Sequence, residues 1–490
     1  SSECRVTSDR VHAMVPAKKS EASDDEMKVE EPEPHEGDVG IEEPGKHDEL
    51  KEAEAEGVEL KAGETEDVEG STFDETGRPR EHEVDAAEDA RPKVRPEQLC
   101  LHMAEATPNV MPSAEGKLLS TLCDGGFQYL FAGVRANVGV KAGRYMFEVK
   151  IVEILNPYEG QAHRQGKTPL PKQVVRLGFS LAGSGVLLDD SAGKVYFDSE
   201  GNFVHQQRRS KVAQAFRREQ VIGVLLNLDK TSSNMGTLSV FRNGHRLCDP
   251  QPLPEHLLGK PLFPSITYKN MTLQVNWGPS AMRPLPFRCF TLREAAADDV
   301  ELVTSMPTPQ DGRCEALFPV ALPEQGLFDW LDQFLEERPQ CLELSDRKVL
   351  KWAQMSGLLR PKGYEWKMSN DKPGMNFGIA MLDDFSIQKV LLAVAPTLGR
   401  DVIFAELNAN LQATERSRAL ARFPATDFKR VAVVAMGEPP AAYKAKVQEA
   451  MLAEKVAKAE KRRLEATTRS GGEGRRNHAE DEETRREEEE

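Results

Sequence analysis

Two clusters of basic side chains and one glycine-lysine pair are the residues of this chain whose types could do chemistry. Arg208, Arg209, Lys211, Arg217 and Arg218 stand within QQRRSKVAQAFRR (206–218), and Lys461, Arg462 and Arg463 follow Lys455 and Lys458 near the C-terminal end. Cationic side chains at that density neutralise phosphates or carboxylates, so both clusters are candidates for contact with nucleic acid or an acidic partner. A solvated loop is the plainer reading of the first. The run 461–463 is also compatible with nuclear import. Gly166-Lys167-Thr168 ends like a phosphate loop, but GxxxxGK needs Gly where Gln161 stands, and Pro169 and Pro171 oppose the helix that must follow. Seven cysteines are widely spaced without a CxxC pair, and ten histidines include no HxH or HxxxH. That pattern favours reduced intracellular thiols and no metal site.

The first basic cluster sits inside a long series of short apolar segments. GRYMFEVKI (143–151), VVRLGFS (174–180), GKVYFDS (193–199), VIGVLLNLD (221–229), TLSVFRNG (237–244) and LFPSITYKNMTLQVNWG (262–278) are rich in β-branched and aromatic residues and bounded by Gly, Pro, Asn or Asp. Tyr145, Phe147, Val149 and Ile151 alternate with Arg144, Glu148 and Lys150, which predicts one face in a core and one in water. VIGVLLNL lacks alternation and reads as a central strand covered on both sides. Asn243-Gly244 suits a two-residue hairpin turn, since both positions tolerate positive φ. An antiparallel sandwich follows, beginning with strands in 118–136. The polar insertion 152–173 and the segment 206–218 are read as connections.

Six of these motifs, in this order between about Leu118 and Gly278, resemble the SPRY domain. The resemblance implies a β-sandwich that binds partners through its loops and carries no catalytic residues. No cysteine pattern of RING or B-box type accompanies it.

The formal net charge of -16 is unevenly spread along the 490 residues. Residues 1–90 hold 30 Asp/Glu against 10 Lys/Arg, whereas residues 131–290 hold 21 Lys/Arg against 11 Asp/Glu. The acidic, Pro- and Gly-rich segment 1–95 cannot bury enough apolar surface to offset its ordering entropy, so it is expected to be disordered. It has no secretory h-region, and Ser1 in place of Met suits a fragment or a processed product. No run approaches the ~18 apolar residues that cross a bilayer, so no membrane partner is expected.

From 315 the periodicity becomes α/β. EALFPVALPEQG (315–326) reads as strand and turn, 327–338 as an amphipathic helix, 401–407 as a buried strand, 414–423 as a helix and 429–436 as a strand. Such alternation predicts a mostly parallel sheet. A SPRY domain followed by this unit resembles the heterogeneous nuclear ribonucleoprotein U family, in which the first strand ends in a GLPGAGKTTW-like loop and a later strand in a DQTN-like motif. Here these positions read ALPEQGLFDW and AELN (405–408). Leu322, Pro323, Gly326, Trp330 and Asn408 match, whereas Ala321, Glu324, Leu327 and Phe328 do not.

The departures fall on the chemistry. A working loop needs a Lys on the phosphate oxygens and a hydroxyl on magnesium, and here Leu327, Phe328 and Ala405 replace the Lys, the hydroxyl and the strand-end Asp, while Glu324 adds negative charge. The resemblance therefore implies a degenerate loop without cofactor or turnover. The family's helical DNA-binding motif and Arg-Gly-Gly repeats are not found.

The domain plan expected is a disordered acidic arm (1–95), a SPRY sandwich (96–290), a linker (291–314), a degenerate P-loop kinase-like α/β domain (315–440), a basic helix (441–469) and a disordered charged tail (470–490). The function expected is a nuclear scaffold in RNA processing, present also in the cytoplasm. RNA would be held by Arg208, Arg209, Lys211, Arg217, Arg218 and the 461–463 run, and protein partners by the SPRY loops. A SPRY-based peptide adaptor with no RNA role is the alternative.

Overall fold

The computed structural model describes residues 80–460 apart from 114–115, 157–170, 304–312, 321–326, 340, 360–376, 378, 380–381, 383, 406–412, 424–427, 436–440, 447, 454 and 458. The described residues lie in one compact unit, Thr72–Glu490.

The unbroken apolar run in Val221–Leu228 forms a fully buried central strand, antiparallel to Gly143–Ile154 on one side and Thr237–Arg242 on the other. Asn243 and Gly244, with φ of 53° and 87°, form the tight turn into His245–Arg246. This sheet runs from Val110–Ser113 through Leu118–Thr121, Met271–Asn276 and Gly143–Ile154 to the central strand and its hairpin. Facing it, Leu262–Lys269 and Val174–Leu181 anchor a second sheet ending in Lys194–Asp198, Asn202–His205 and Arg208–Lys211. Tyr145, Phe147, Val149 and Ile151 meet Leu177, Phe179 and Ile266 in the core between the two sheets.

Four features depart from the sequence reading. Arg144 and Glu148 do not face water; residues 281–289 and 80–88 cover that side of the sheet, where Met146, Leu225, Phe241 and Phe287 make a second cluster. Residues 80–95, counted above with the acidic arm, pack on the sandwich: Val94 is buried, and its N–H donates to Ala295 O at 2.9 Å. Most of the expected linker belongs to the sandwich as well, with Phe290–Thr291 parallel to Gly143–Ile154 and Val300–Leu302 antiparallel to Val138–Val140. Burial of Leu292, Ala295, Ala296 and Val300 holds it there. Finally, part of 206–218 is not a connection, because Arg208–Lys211 is the edge strand of the second sheet.

Cys314–Val320, Leu342–Ser345, Val402–Ala405 and Phe428–Ala435 form an all-parallel sheet with the first of these as an inner strand. Helices Leu327–Glu337, Asp346–Met355, Asp384–Val394 and Ala413–Leu420 accompany it. This α/β unit is fused to the sandwich by a common core. Phe127, Leu130, Phe131 and Leu187 from the sandwich pack with Trp352, Ala353 and Leu391. Trp352 Nε1 donates to Phe131 O at 2.7 Å, Phe131 N–H donates to Ser356 Oγ at 2.9 Å, and Arg400 donates to Ala106 O at 3.0 Å. A cavity of about 420 Å³ lies along the same seam, lined by Thr107, Val186, Leu344, Trp352 and Met355 among others. Among the described residues no helix is long and apolar enough to cross a membrane.

Candidate partner interface

The edge strand Arg208–Lys211 is exposed along its length, and side chains on a strand alternate between faces. Arg209 and Lys211 share one face and turn inward along the sheet: Arg209 pairs with Asp198 at 3.2 Å and Glu200 at 3.8 Å, and Lys211 Nζ donates to Glu200 O. Arg218 donates to Val152 O at 3.4 Å and lies 3.9 Å from Glu219. The structure thus brings the five basic residues of 206–218 onto one sandwich, with Arg209, Lys211 and Arg218 engaged in contacts within the chain. Lys461, Arg462 and Arg463 lie outside the described residues, as do Gly166, Lys167 and Thr168. Residues 441–446, 448–453, 455–457 and 459–460 are helical, with Met451, Leu452 and Val456 exposed and Lys446 paired to Glu336 at 3.2 Å.

Ala321, Glu324 and Gly326 also fall outside the described residues, and of Leu327 only its place at the first turn of the helix is described. Phe328 is buried with Leu317, Leu331, Ile403 and Ala405. The Arg347 guanidinium lies 4.6 Å from the centre of its ring and donates to Glu343 and Asp332, each at 2.6 Å. Burial opposes the charge on Arg347, but these two carboxylates outweigh it and raise its pKa. Ala405, at the end of the neighbouring strand, offers no ligand atom.

The cleft that sequence reasoning missed lies under residues 80–91. Arg144 donates to Glu83 Oε2 at 2.6 Å and to Val84 O at 2.7 Å, and the side chains of this ion pair are almost wholly enclosed. Asn227 Nδ2 adds a bond to the same carboxylate at 3.1 Å, and Asn234 Nδ2 donates to His82 O at 2.7 Å. Arg246, its side chain 2% exposed, donates to Glu81 Oε1 at 2.6 Å and to Ser239 Oγ at 3.0 Å. Farther along, Arg91 forms a two-pronged contact with Asp299, both bonds 2.8 Å. Desolvation pushes the Asp299 carboxyl up, yet bonds from Arg91 and Tyr145 hold it below its ordinary value. The available signal was the alternation Glu81, Glu83, Asp85 opposite a sandwich rich in arginine.

Burial pushes the Cys248 and Cys341 thiols up to about 12, which keeps them protonated and unreactive at neutral pH. No group of three or more His, Cys, Asp or Glu capable of holding a metal occurs among the described residues.

No family model matches the chain. Over 243 residues, 48% of this chain, it is 25% identical to heterogeneous nuclear ribonucleoprotein U-like protein 2 of Mus musculus and to that of Homo sapiens, matching 31% of each. The chain spans about a third of the length of these curated relatives. It is also 26% identical over 155 residues to an ATP-dependent RNA helicase of Drosophila melanogaster, covering 31% of this chain and 18% of that protein. Among solved structures, the SPRY domain of human HERC1 matches 36% of this chain and 96% of its own, at 15% identity and a TM-score of 0.26. Another human SPRY domain gives 14% identity and 0.25, over 34% of this chain and 94% of that one. The mostly β part of the fold is a two-sheet sandwich.

Proposed function

We propose that the chain is a non-catalytic scaffold of the heterogeneous nuclear ribonucleoprotein U-like kind, acting in the nucleus on RNA and proteins of RNA processing. The observation that carries this reading is the 25% identity over 243 residues to U-like protein 2, whose name places it among ribonucleoproteins. The order of segments agrees with it: six SPRY-type motifs, then the strand Cys314–Val320, the sequence ALPEQG and the helix Leu327–Glu337 that opens with LFDW. The α/β unit is a degenerate relative of phosphate-loop kinases in this reading. Support comes from Phe328 and Ala405, which serve as core residues where a magnesium-binding hydroxyl and carboxylate would be needed.

RNA contact falls to Arg208, Arg217 and the C-terminal basic helix, with Arg209, Lys211 and Arg218 joining only where phosphate displaces their present partners. Ultraviolet crosslinking of the chain in cells, followed by pull-down and RNA labelling, tests the proposal. Labelled RNA on the chain, lost when both basic clusters are neutralised, is the expected result; RNA-free pull-downs containing only proteins would leave the scaffold without its RNA.

That second outcome has a specific observation in its favour. Internal carboxylate pairing already consumes Arg209, which leaves the edge strand less free charge than its composition implies. A peptide-binding adaptor working through the sandwich needs none of it.

A further inference from the structure

The acidic segment beneath which Arg144 and Arg246 are enclosed is bound the way a peptide ligand is bound. Residues 80–90 have no helix or strand of their own. In an extended chain alternate side chains share a face, and here Glu81, Glu83 and Asp85 all turn to the sandwich while Val84 between them is 71% exposed. Each carboxylate has a separate receptor: Arg246 for Glu81, Arg144 with Asn227 for Glu83, and the backbone N–H of Arg288 at 2.7 Å for Asp85. Recognition therefore reads three negative charges at alternate positions; of the side chains between them Val84 is left to solvent, while His82 Nε2 lies 3.3 Å from Asp249 Oδ1.

The receptors are built into the sandwich. Arg246 is braced by Ser239 and by the Phe241 ring 4.8 Å away, and Arg144 by Arg288 O and the Phe287 ring at 5.6 Å. Arg144 Nε is buried without a partner, so the present occupant does not exhaust the site's donors. Anchoring of the chain is separate from this recognition. Val94 in the core and the Arg91 contact to Asp299 hold residues 91–95, and between them and the acidic triplet the backbone bond from Ala86 N to Arg288 O is the principal tie.

We propose that this cleft is a binding site for an extended acidic peptide of another protein, carrying carboxylates at positions i, i+2 and i+4, and that residues 81–85 occupy it in cis as an internal competitor. Charge complementarity selects the class of partner. The same alternation recurs in the chain at Glu52, Glu54 and Glu56, so a pattern-reading cleft is distinguishable from one moulded to a single sequence.

The full chain carrying Glu81→Gln and Glu83→Gln, in which the competitor has lost two charges, is titrated with labelled REHEVDAAED and KEAEAEGVEL peptides and with versions holding Gln for Glu and Asn for Asp. Both acidic peptides are expected to bind at least tenfold tighter than to the unsubstituted chain, the neutral versions not at all, and addition of Arg246→Gln to abolish binding. Equal affinity for substituted and unsubstituted chains would overturn the proposal, as would preferential displacement of the labelled peptide by a single-stranded oligonucleotide. Should the double variant fail to fold, hydrogen exchange on Arg246→Gln alone decides. Loss of protection at Ala86 with the central strand Val221–Leu228 still protected supports an exchangeable segment; protection lost at both together, or at neither, overturns it. None of these readouts depends on RNA binding, so the cleft and the ribonucleoprotein reading fail separately.

Discussion

The arginines of the edge strand and the arginines of the cleft differ in a way that composition hides. Arg208 and Arg209 lie in a conspicuous basic run and stand on an exposed strand, whereas Arg144 and Arg246 are isolated in sequence and enclosed in the structure. Exposed cations gain little from any one partner, because water and salt screen them. An enclosed guanidinium must have a carboxylate or well-placed acceptors, so its position dictates what lies over it. The local density of charge in a sequence locates the first kind and is blind to the second.

The largest test of this contrast is truncation. Removing residues 1–79 is expected to leave the melting temperature unchanged, while removing 1–95 strips Val94 from the core and leaves Asp299 without Arg91. Loss of roughly 3–5 kcal/mol is expected from the buried valine and the stranded carboxylate together, seen as a fall on the order of 10 °C. Equal melting temperatures for the two truncations would mean that the segment is an ornament.

A buried cation without a carboxylate among the described residues sharpens the contrast further. Lys269 Nζ donates to Tyr129 O at 3.2 Å and Ser356 O at 3.4 Å and lies over the face of Phe131 at 4.4 Å, with Arg176 and Lys172 nearby. Burial, and then these two cations, push its pKa down from 10.5 to about 8. Between those values the unfolded chain holds the extra proton, so stability rises with pH over that window and the full cost of the charge is present below it. Replacing Lys269 by Met is expected to flatten this part of the profile. The difference in urea-derived stability between pH 7 and pH 10 should shrink by about 1–3 kcal/mol. An unchanged difference would show that the ammonium is as well accommodated as Arg144 is by Glu83.

RNA binding tests the exposed side. Single-strand affinity should fall with salt at a slope of about 0.7 per neutralised phosphate. Arg208→Ala with Arg217→Ala should lower both affinity and slope, whereas Arg209→Ala should change the slope little, since its charge is already met by Asp198 and Glu200. Equal losses from all three single substitutions would show that phosphate outcompetes the internal pairs.

What was legible in the sequence follows the same division. Strands with alternation or an unbroken apolar run, the Asn243-Gly244 turn and the parallel α/β order could be read, because local periodicity reports burial directly. Val110–Ser113 could not, since Pro112 argues against a strand; it survives because this strand ends its sheet. Asp346–Met355 was missed although Ser345 caps it on Lys348 N and Val349, Trp352 and Ala353 fall at helical spacing on its buried side. The residues that weld the two units, Phe131, Trp352 and Lys269, and those that hold residues 80–95, depend on pairings more than fifty positions apart, which no local pattern encodes.

The smallest expected effect concerns another committed arginine. Arg347 stands near the start of the helix Leu327–Glu337, where the proposed kinase-like reading would need positive charge for phosphate, but Glu343 and Asp332 neutralise it and Phe328 lies under its guanidinium. A triphosphate would have to break two 2.6 Å bonds and leave both carboxylates exposed to its own charge. The helix N-terminus alone offers only a modest attraction for anions. Calorimetric titration with Mg-ATP is therefore expected to be flat into the millimolar range. Leu327→Lys with Phe328→Thr should not restore turnover, because Ala405 still lacks the carboxylate that would hold magnesium. Micromolar binding of ATP by the unsubstituted chain would mean that Arg347 abandons its partners for phosphate, and would overturn the proposed reading of the α/β unit as a degenerate loop.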